Sequence, residues 1–159
     1  MKKGKHISVL WQLASKFLEL SAAENEIVVA DVDIVGKSGK IRHLDFFVGE
    51  MIDDISFRRG MGVLIKDWKI PCNILEIKRG GRKWSDCPEI NKILIIANSF
   101  SKSAKNLAQK QKIRLLTKDL IAKEIQSSLV ARKKDLMKEK DTLQKNRERV
   151  KDNLLRSPQ

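Results

Sequence analysis

Two short stretches limit the folds open to this chain more than anything else in it: Met61 to Trp68, MGVLIKDW, and Lys92 to Asn98, KILIIAN. Continuous apolar runs of this length, ended by charges, are the pattern of strands buried on both faces, which requires helices above and below a sheet. The chain supplies those helices. After the second run, Ser99 or Ser101 is placed to cap a helix with Ala104, Leu107 and Ala108 inside, and Ile113 to Leu116 follows as a short strand. Strand, helix, strand in that order predicts a right-handed parallel crossover, so the fold class is α/β.

Upstream the pattern is different. Ile7, Leu10, Ala14, Phe17, Leu18 and Ser21 recur at three- and four-residue steps and predict an opening helix from about Ile7 to Ala22, with Trp11 part of the core. Glu26 to Val35, EIVVADVDIV, is β-branched and nearly alternating, and predicts a strand. Gly36-Lys37-Ser38-Gly39 turns the chain, and Lys40 to Val48 returns antiparallel. On the returning strand Asp45 is flanked by large apolar residues. An ionised carboxylate there is costly unless a cation or hydrogen-bond donors replace its lost water, which marks Asp45 as a functional candidate.

Lys66 emerges near the end of the Met61–Trp68 run, where ions and substrates bind in open α/β sheets. Pro71 then suits the first turn of a helix with Ile74, Leu75 and Ile77 inside and Gly80-Gly81 as its stop. A strand CNILEIKR is the competing reading, because its residues also alternate. Arg79, Arg82, Lys83 and Trp84, in or beside the stretch GGRKWSDCPE, form a basic loop in this reading. Arginines beside an aromatic suit a nucleic-acid backbone and an unstacked base, and Lys37 and Lys40 at the hairpin tip suit phosphates. Asp31 and Asp33, two apart on one strand, fit a wet strand face better than a metal site. Glu50, Asp53 and Asp54 lie in a longer connection that offers a further carboxylate or merely a solvated loop.

Charge narrows the partners. Thirty-three Lys and Arg against twenty Asp and Glu give a net +13 over 159 residues, a surplus that attracts polyanions, with nucleic acid the commonest. No stretch is both strongly amphipathic and rich in exposed aromatics, and none approaches the about eighteen apolar residues of a spanning helix, so no membrane partner is expected. Two cysteines, Cys72 and Cys87, without a CxxC pair or a histidine cluster, read as reduced thiols in a cytoplasmic protein. The N-terminus lacks the apolar core of a signal peptide.

From Lys118 onward the chain changes character. Leu129, Leu136, Leu143 and Val150 repeat every seven residues, but Arg132, Glu139 and Asn146 stand where a second apolar seam belongs. This predicts a long basic helix with weak coiled-coil potential, or a solvated tail frayed beyond about Asp141. The expected division is residues 1–120 as the folded domain and 121–159 as a basic helical extension.

The element order, with Asp45 on the second strand and Lys66 on the third, resembles the restriction endonuclease-like PD-(D/E)XK superfamily, in particular its Mrr-type and archaeal Holliday-junction-resolvase-like branch. The resemblance covers roughly Ile7 to Leu120 and is best in GKSGKIRHLDFF, VLIKDWKIP and LIIANSFSKSAKNLAQKQKIRLLTKDL. It implies an αβββαβ core with a mixed central sheet flanked by helices. It also implies DNA, double-stranded or branched, as substrate, Mg²⁺ (or Mn²⁺) as cofactor, and phosphodiester hydrolysis, with a homodimer serving to cut both strands. Asp45 takes the family's aspartate position and Lys66 its lysine. Leu64 stands where the family has glutamate, and Leu44 where it has proline. Three repairs are open: Glu76 reaching the metal beside Asp45 from the following helix, Glu76-Ile77-Lys78 serving as the Glu-x-Lys strand with Lys78 catalytic, or a shifted Asp67-Trp68-Lys69. The alternative is a non-catalytic nucleic-acid-binding protein that keeps the fold.

Overall fold

The structure, a computed structural model, describes residues 8–50, 52–53 and 59–156. Helix α1 spans Val9–Ser21, strands β1, β2 and β3 span Glu26–Val35, Ile41–Glu50 and Gly60–Lys66, and helix α2 spans Ile74–Asp86. Strand β4 (Ile90–Ala97), helix α3 (Lys102–Gln111), strand β5 (Arg114–Thr117) and helix α4 (Lys118–Leu155) complete the order. The five strands form one sheet in sequence order. β1, β2 and β3 run antiparallel, whereas β3, β4 and β5 are parallel, so the α/β fold has a mixed sheet.

Alternation along β4 explains the layering. Ile93, Ile95 and Ala97 join Ile77 of α2 and Ala104 and Ala108 of α3 in one buried cluster, while Leu94 and Ile96, pointing the other way, are equally buried. Full burial of a side chain such as Ile77 is worth about 1.5–3 kcal/mol, which is why β4 is wholly apolar from Ile93 to Ala97, while its polar residues, Asn91 and Lys92, are exposed. Leu10, Ala14, Phe17 and Leu18 are the buried residues of α1, and Trp11 packs its ring 4.7 Å from Phe46 at an interplanar angle of 37°. Ser8, Asn73 and Ser101 cap α1, α2 and α3 by accepting from the amides of Trp11, Leu75 and Ala104.

Several expectations are corrected. Gly80-Gly81 does not stop α2, which runs on to Asp86, so Arg79, Arg82, Lys83 and Trp84 are helical and not a loop. The CNILEIKR strand is likewise absent. The reason is contact: a Cβ on Gly80 would lie 3.2 Å from the Ile95 side chain and 3.6 Å from Leu64, so glycine here lets the helix press against the sheet. Leu75, expected inside, is exposed, and Glu76 is buried in its place. The third strand ends at Lys66, two residues before Trp68. Ile7 and Asp54 lie outside the described residues.

The chain divides into two compact units after Lys123. The second consists of helix, which continues past Asp141 to Leu155 and leaves Leu129, Leu136, Leu143 and Val150 exposed. Among the described residues no helix is long and apolar enough to cross a membrane.

Candidate functional site

The centre of the site is a place where the sheet lets go of one strand. Pairing between β1 and β2 passes from Ala30–Phe46 to Val32–Leu44, skipping Asp31 and Asp45, which stand opposite each other. Asp31 takes a left-handed backbone (φ 53°), an uncommon conformation for a residue with a side chain. On the other edge the β2–β3 pairing stops at Phe46–Val63. The half-buried Asp45 carboxylate fills the opening, accepting the amide hydrogen of Ile65 at 2.7 Å. A side chain thus replaces a strand-to-strand hydrogen bond and fixes the orientation of its carboxylate.

Lys66, one residue beyond Ile65, ends β3, and its ammonium lies 3.0 Å from Glu76 Oε2 and 5.5 Å from the centroid of the Trp68 ring. The other oxygen of Glu76 accepts from Arg79 Nη1 at 2.5 Å. The register between β3 and α2 explains this meeting. Leu64 and Lys66 share one face of the strand, Glu76 and Gly80 one face of the helix, and Gly80 rests against Leu64 just as Glu76 rests against Lys66. Leu64 belongs to the apolar core, so the position that holds glutamate in the resembled family is occupied by packing.

Lys83 continues the helix face of Glu76 and Gly80 at the i, i+4, i+7 spacing. Its ammonium is half-buried and donates to the carbonyl of His43 at 2.6 Å. Burial, then the charge of Lys66, pushes its pKa below the ordinary lysine value, while Asp45 and Glu76 act in the opposite sense. The site therefore gathers two carboxylates, Asp45 and Glu76, and two lysines, Lys66 and Lys83, from β2, β3 and α2. Asp45 and Glu76 are the carboxylates it offers to a cation. Among the described residues no group of three or more His, Cys, Asp or Glu converges as a metal site.

No family model matches this chain, and no curated protein does. The crystal structure of a protein of unknown function, AF1548, superposes with a TM-score of 0.50 at 17% identity, covering 65% of this chain and 56% of that one. This chain therefore spans little more than half the length of that protein. At such low identity the likeness shows the fold alone.

The remaining candidates lie apart. Lys78 is two positions from Glu76, about 200° round the helix, and is exposed. It does not face Lys66, and the Glu-x-Lys strand that would have placed it there is a helix. Asp67 lies past the end of β3, accepting from the Asn98 amide at 3.0 Å, and that hydrogen bond foremost lowers its pKa. Glu50 closes β2 beside the start of β3, at the opposite end of that strand from Lys66. Trp84 is partly buried against the core cluster. Arg82, Lys37 and Lys40 are exposed. Asp31 and Asp33 flank the His43 ring at 3.6 and 2.8 Å, on strand rather than loop backbone.

Sequence reasoning missed Asp86. This last residue of α2 accepts from the Ser38 amide and hydroxyl at 2.9 and 2.7 Å and from Arg42 Nε at 2.9 Å. These contacts, Arg42 first, lower its pKa to about 2. A side chain on Gly36 would collide with the Asp86 carboxylate, so glycine permits the closure. No local signal identifies partners 44 and 48 residues away in sequence.

Proposed function

We propose that this chain is a metal-dependent DNA endonuclease of the restriction endonuclease-like superfamily, with its second acid supplied by a helix. The observation that carries the reading is the Glu76–Lys66 pair: where β3 has Leu64, α2 delivers a carboxylate to the lysine that follows Ile65, whose amide holds Asp45. The mixed sheet and the order of its elements accord with the αβββαβ core of that superfamily. Asp45 and Glu76 fit Mg²⁺ or Mn²⁺ in kind, because Mg²⁺ is typically held by one or two carboxylates with waters and substrate phosphate oxygens completing its shell. When bound, such an ion supplies Lewis-acid polarisation and a more acidic water.

The chain's own groups do the rest. Asp45 is held by the Ile65 amide, so its carboxylate is oriented before any ligand arrives. Lys66 and Lys83 place positive charge where a phosphodiester gains negative charge on attack. Arg79, whose side chain is 64% exposed, can leave Glu76 for a DNA phosphate. The net +13 adds long-range attraction to DNA that weakens with salt, and a homodimer would set one site on each strand of a duplex.

A second reading, a non-catalytic nucleic-acid-binding protein, is favoured by one observation: Lys66 and Arg79 already occupy both oxygens of Glu76. Incubating supercoiled and branched DNA with the protein and Mg²⁺ or Mn²⁺, beside an Asp45→Ala variant, separates the two. Cleavage that the variant loses supports the nuclease. Binding without cleavage, the same in both proteins, supports the binder.

A further inference from the structure

At the opposite end of β3 from Lys66 the described residues leave a hollow against the sheet. Helix α1 stops at Ser21, and beyond its end lies a cavity of about 380 Å³. The sheet register decides what fills its wall. Val48 is paired with Met61, and Met61 with Lys92, so these three point to the same face in a row across β2, β3 and β4. Arg114, opposite Leu94 on β5, shares that face one strand further on, two positions along from Lys92. Between Gly60 and Met61 the pairing shifts by one residue, so Asn91 is an extra residue in β4 and lines the cavity together with Arg59.

Three cations thus line one concave surface. Among the described residues none of Arg59, Lys92 and Arg114 forms an ion pair. Among the lining residues the acid is Glu26, which accepts from the Ala23 amide at 2.9 Å and leaves the cations in excess. Carbonyls at the end of α1 are satisfied as well, Leu18 by the Ala22 amide and Phe17 by the Ser21 hydroxyl. Like charges held together by a sheet repel, and an anion seated among them removes that cost.

We propose that this cavity binds a nucleoside monophosphate, its phosphate among Arg59, Lys92 and Arg114 and its base against the apolar wall. Small-molecule pockets span roughly 300–1,000 Å³, so the volume suits a nucleotide better than a bare phosphate. Leu18, Val48 and Met61 are apolar members of the lining, and a thioether such as that of Met61 packs well on an aromatic ring. The Asn91 amide carries both a donor and acceptors for a base edge. The inference is independent of the endonuclease reading, since it uses none of the residues near Lys66.

Titrating the full-length protein with adenosine monophosphate, adenosine and inorganic phosphate, followed by calorimetry and amide chemical shifts, tests it. The nucleotide should bind at least about tenfold more tightly than either fragment, and Lys92→Gln and Arg114→Gln should each weaken it about tenfold. Asp45→Asn should leave it unchanged. Short single strands with and without a 5′-phosphate identify the source. Tight binding of the phosphorylated strand alone assigns the site to a nucleic-acid end, and tight binding of the mononucleotide alone assigns it to a free nucleotide. Equal affinity for phosphate and nucleotide, no binding of any of these, or full affinity in both glutamine variants would overturn the proposal.

Discussion

Glu76 Oε2 sits 3.0 Å from Lys66 Nζ, although the glutamate belongs to a helix and the lysine to the strand beneath it. The acid is almost wholly buried and the lysine partly so, which makes the pair sensitive to loss of either charge. Glu76→Gln keeps the volume but removes the charge that Lys66 and Arg79 face. Denaturant unfolding should show a loss of about 1–3 kcal/mol, with DNA cleavage abolished. Cleavage at the parent rate would remove Glu76 from the proposed chemistry.

Asp45 offers a separation of structure from charge. Asp45→Ala leaves the Ile65 amide without its acceptor, at a cost of about 1–3 kcal/mol, whereas Asp45→Asn retains an acceptor oxygen. The asparagine variant should therefore unfold close to the parent and still fail to cut DNA. If both variants cut, the metal role of Asp45 is wrong.

The Asp86 carboxyl, at about 2, lies below its ordinary 3.8. Its folded value is depressed, so the stability it adds is present above the unfolded value and is lost as pH falls from about 4 through about 2. Acid unfolding followed by circular dichroism should lose part of its steepness in that window in Asp86→Asn. Gly36→Ala should mimic the effect at neutral pH by driving the hairpin tip off the carboxylate. An Asp86 carboxyl carbon that titrates near 3.8 by NMR would refute the account.

Cys72 and Cys87 are both buried, and burial foremost raises their thiol pKa values. Reaction with a thiol reagent at neutral pH should be slow in the folded protein and complete in denaturant. Fast modification without unfolding would show that the core opens locally at these positions.

Much of this was legible because burial on two faces leaves a strong trace. EIVVADVDIV begins and ends where β1 does, and KILIIAN lies within β4 but for its final asparagine. The αβββαβ order follows from the same patterning. What misled was α2. Glycine commonly ends helices, so Gly80-Gly81 predicts a stop, but the role of Gly80 is close approach to Leu64 and Ile95, which only the folded contact reveals. That misreading turned Trp84 into a loop residue and hid the face shared by Glu76 and Lys83. For the site itself, Asp45 and Lys66 announced themselves by charge in apolar strands. Whether Glu76 stood beside Lys66 or was carried on a strand with Lys78 depended on a choice between helix and strand that eight alternating residues cannot settle.

The helix bearing Glu76 is also clamped at its other end, where Asp86 grips Ser38 and Arg42. One helix therefore ties the hairpin tip and the end of β3 together, through Asp86 at its last residue and Glu76 in its first turn.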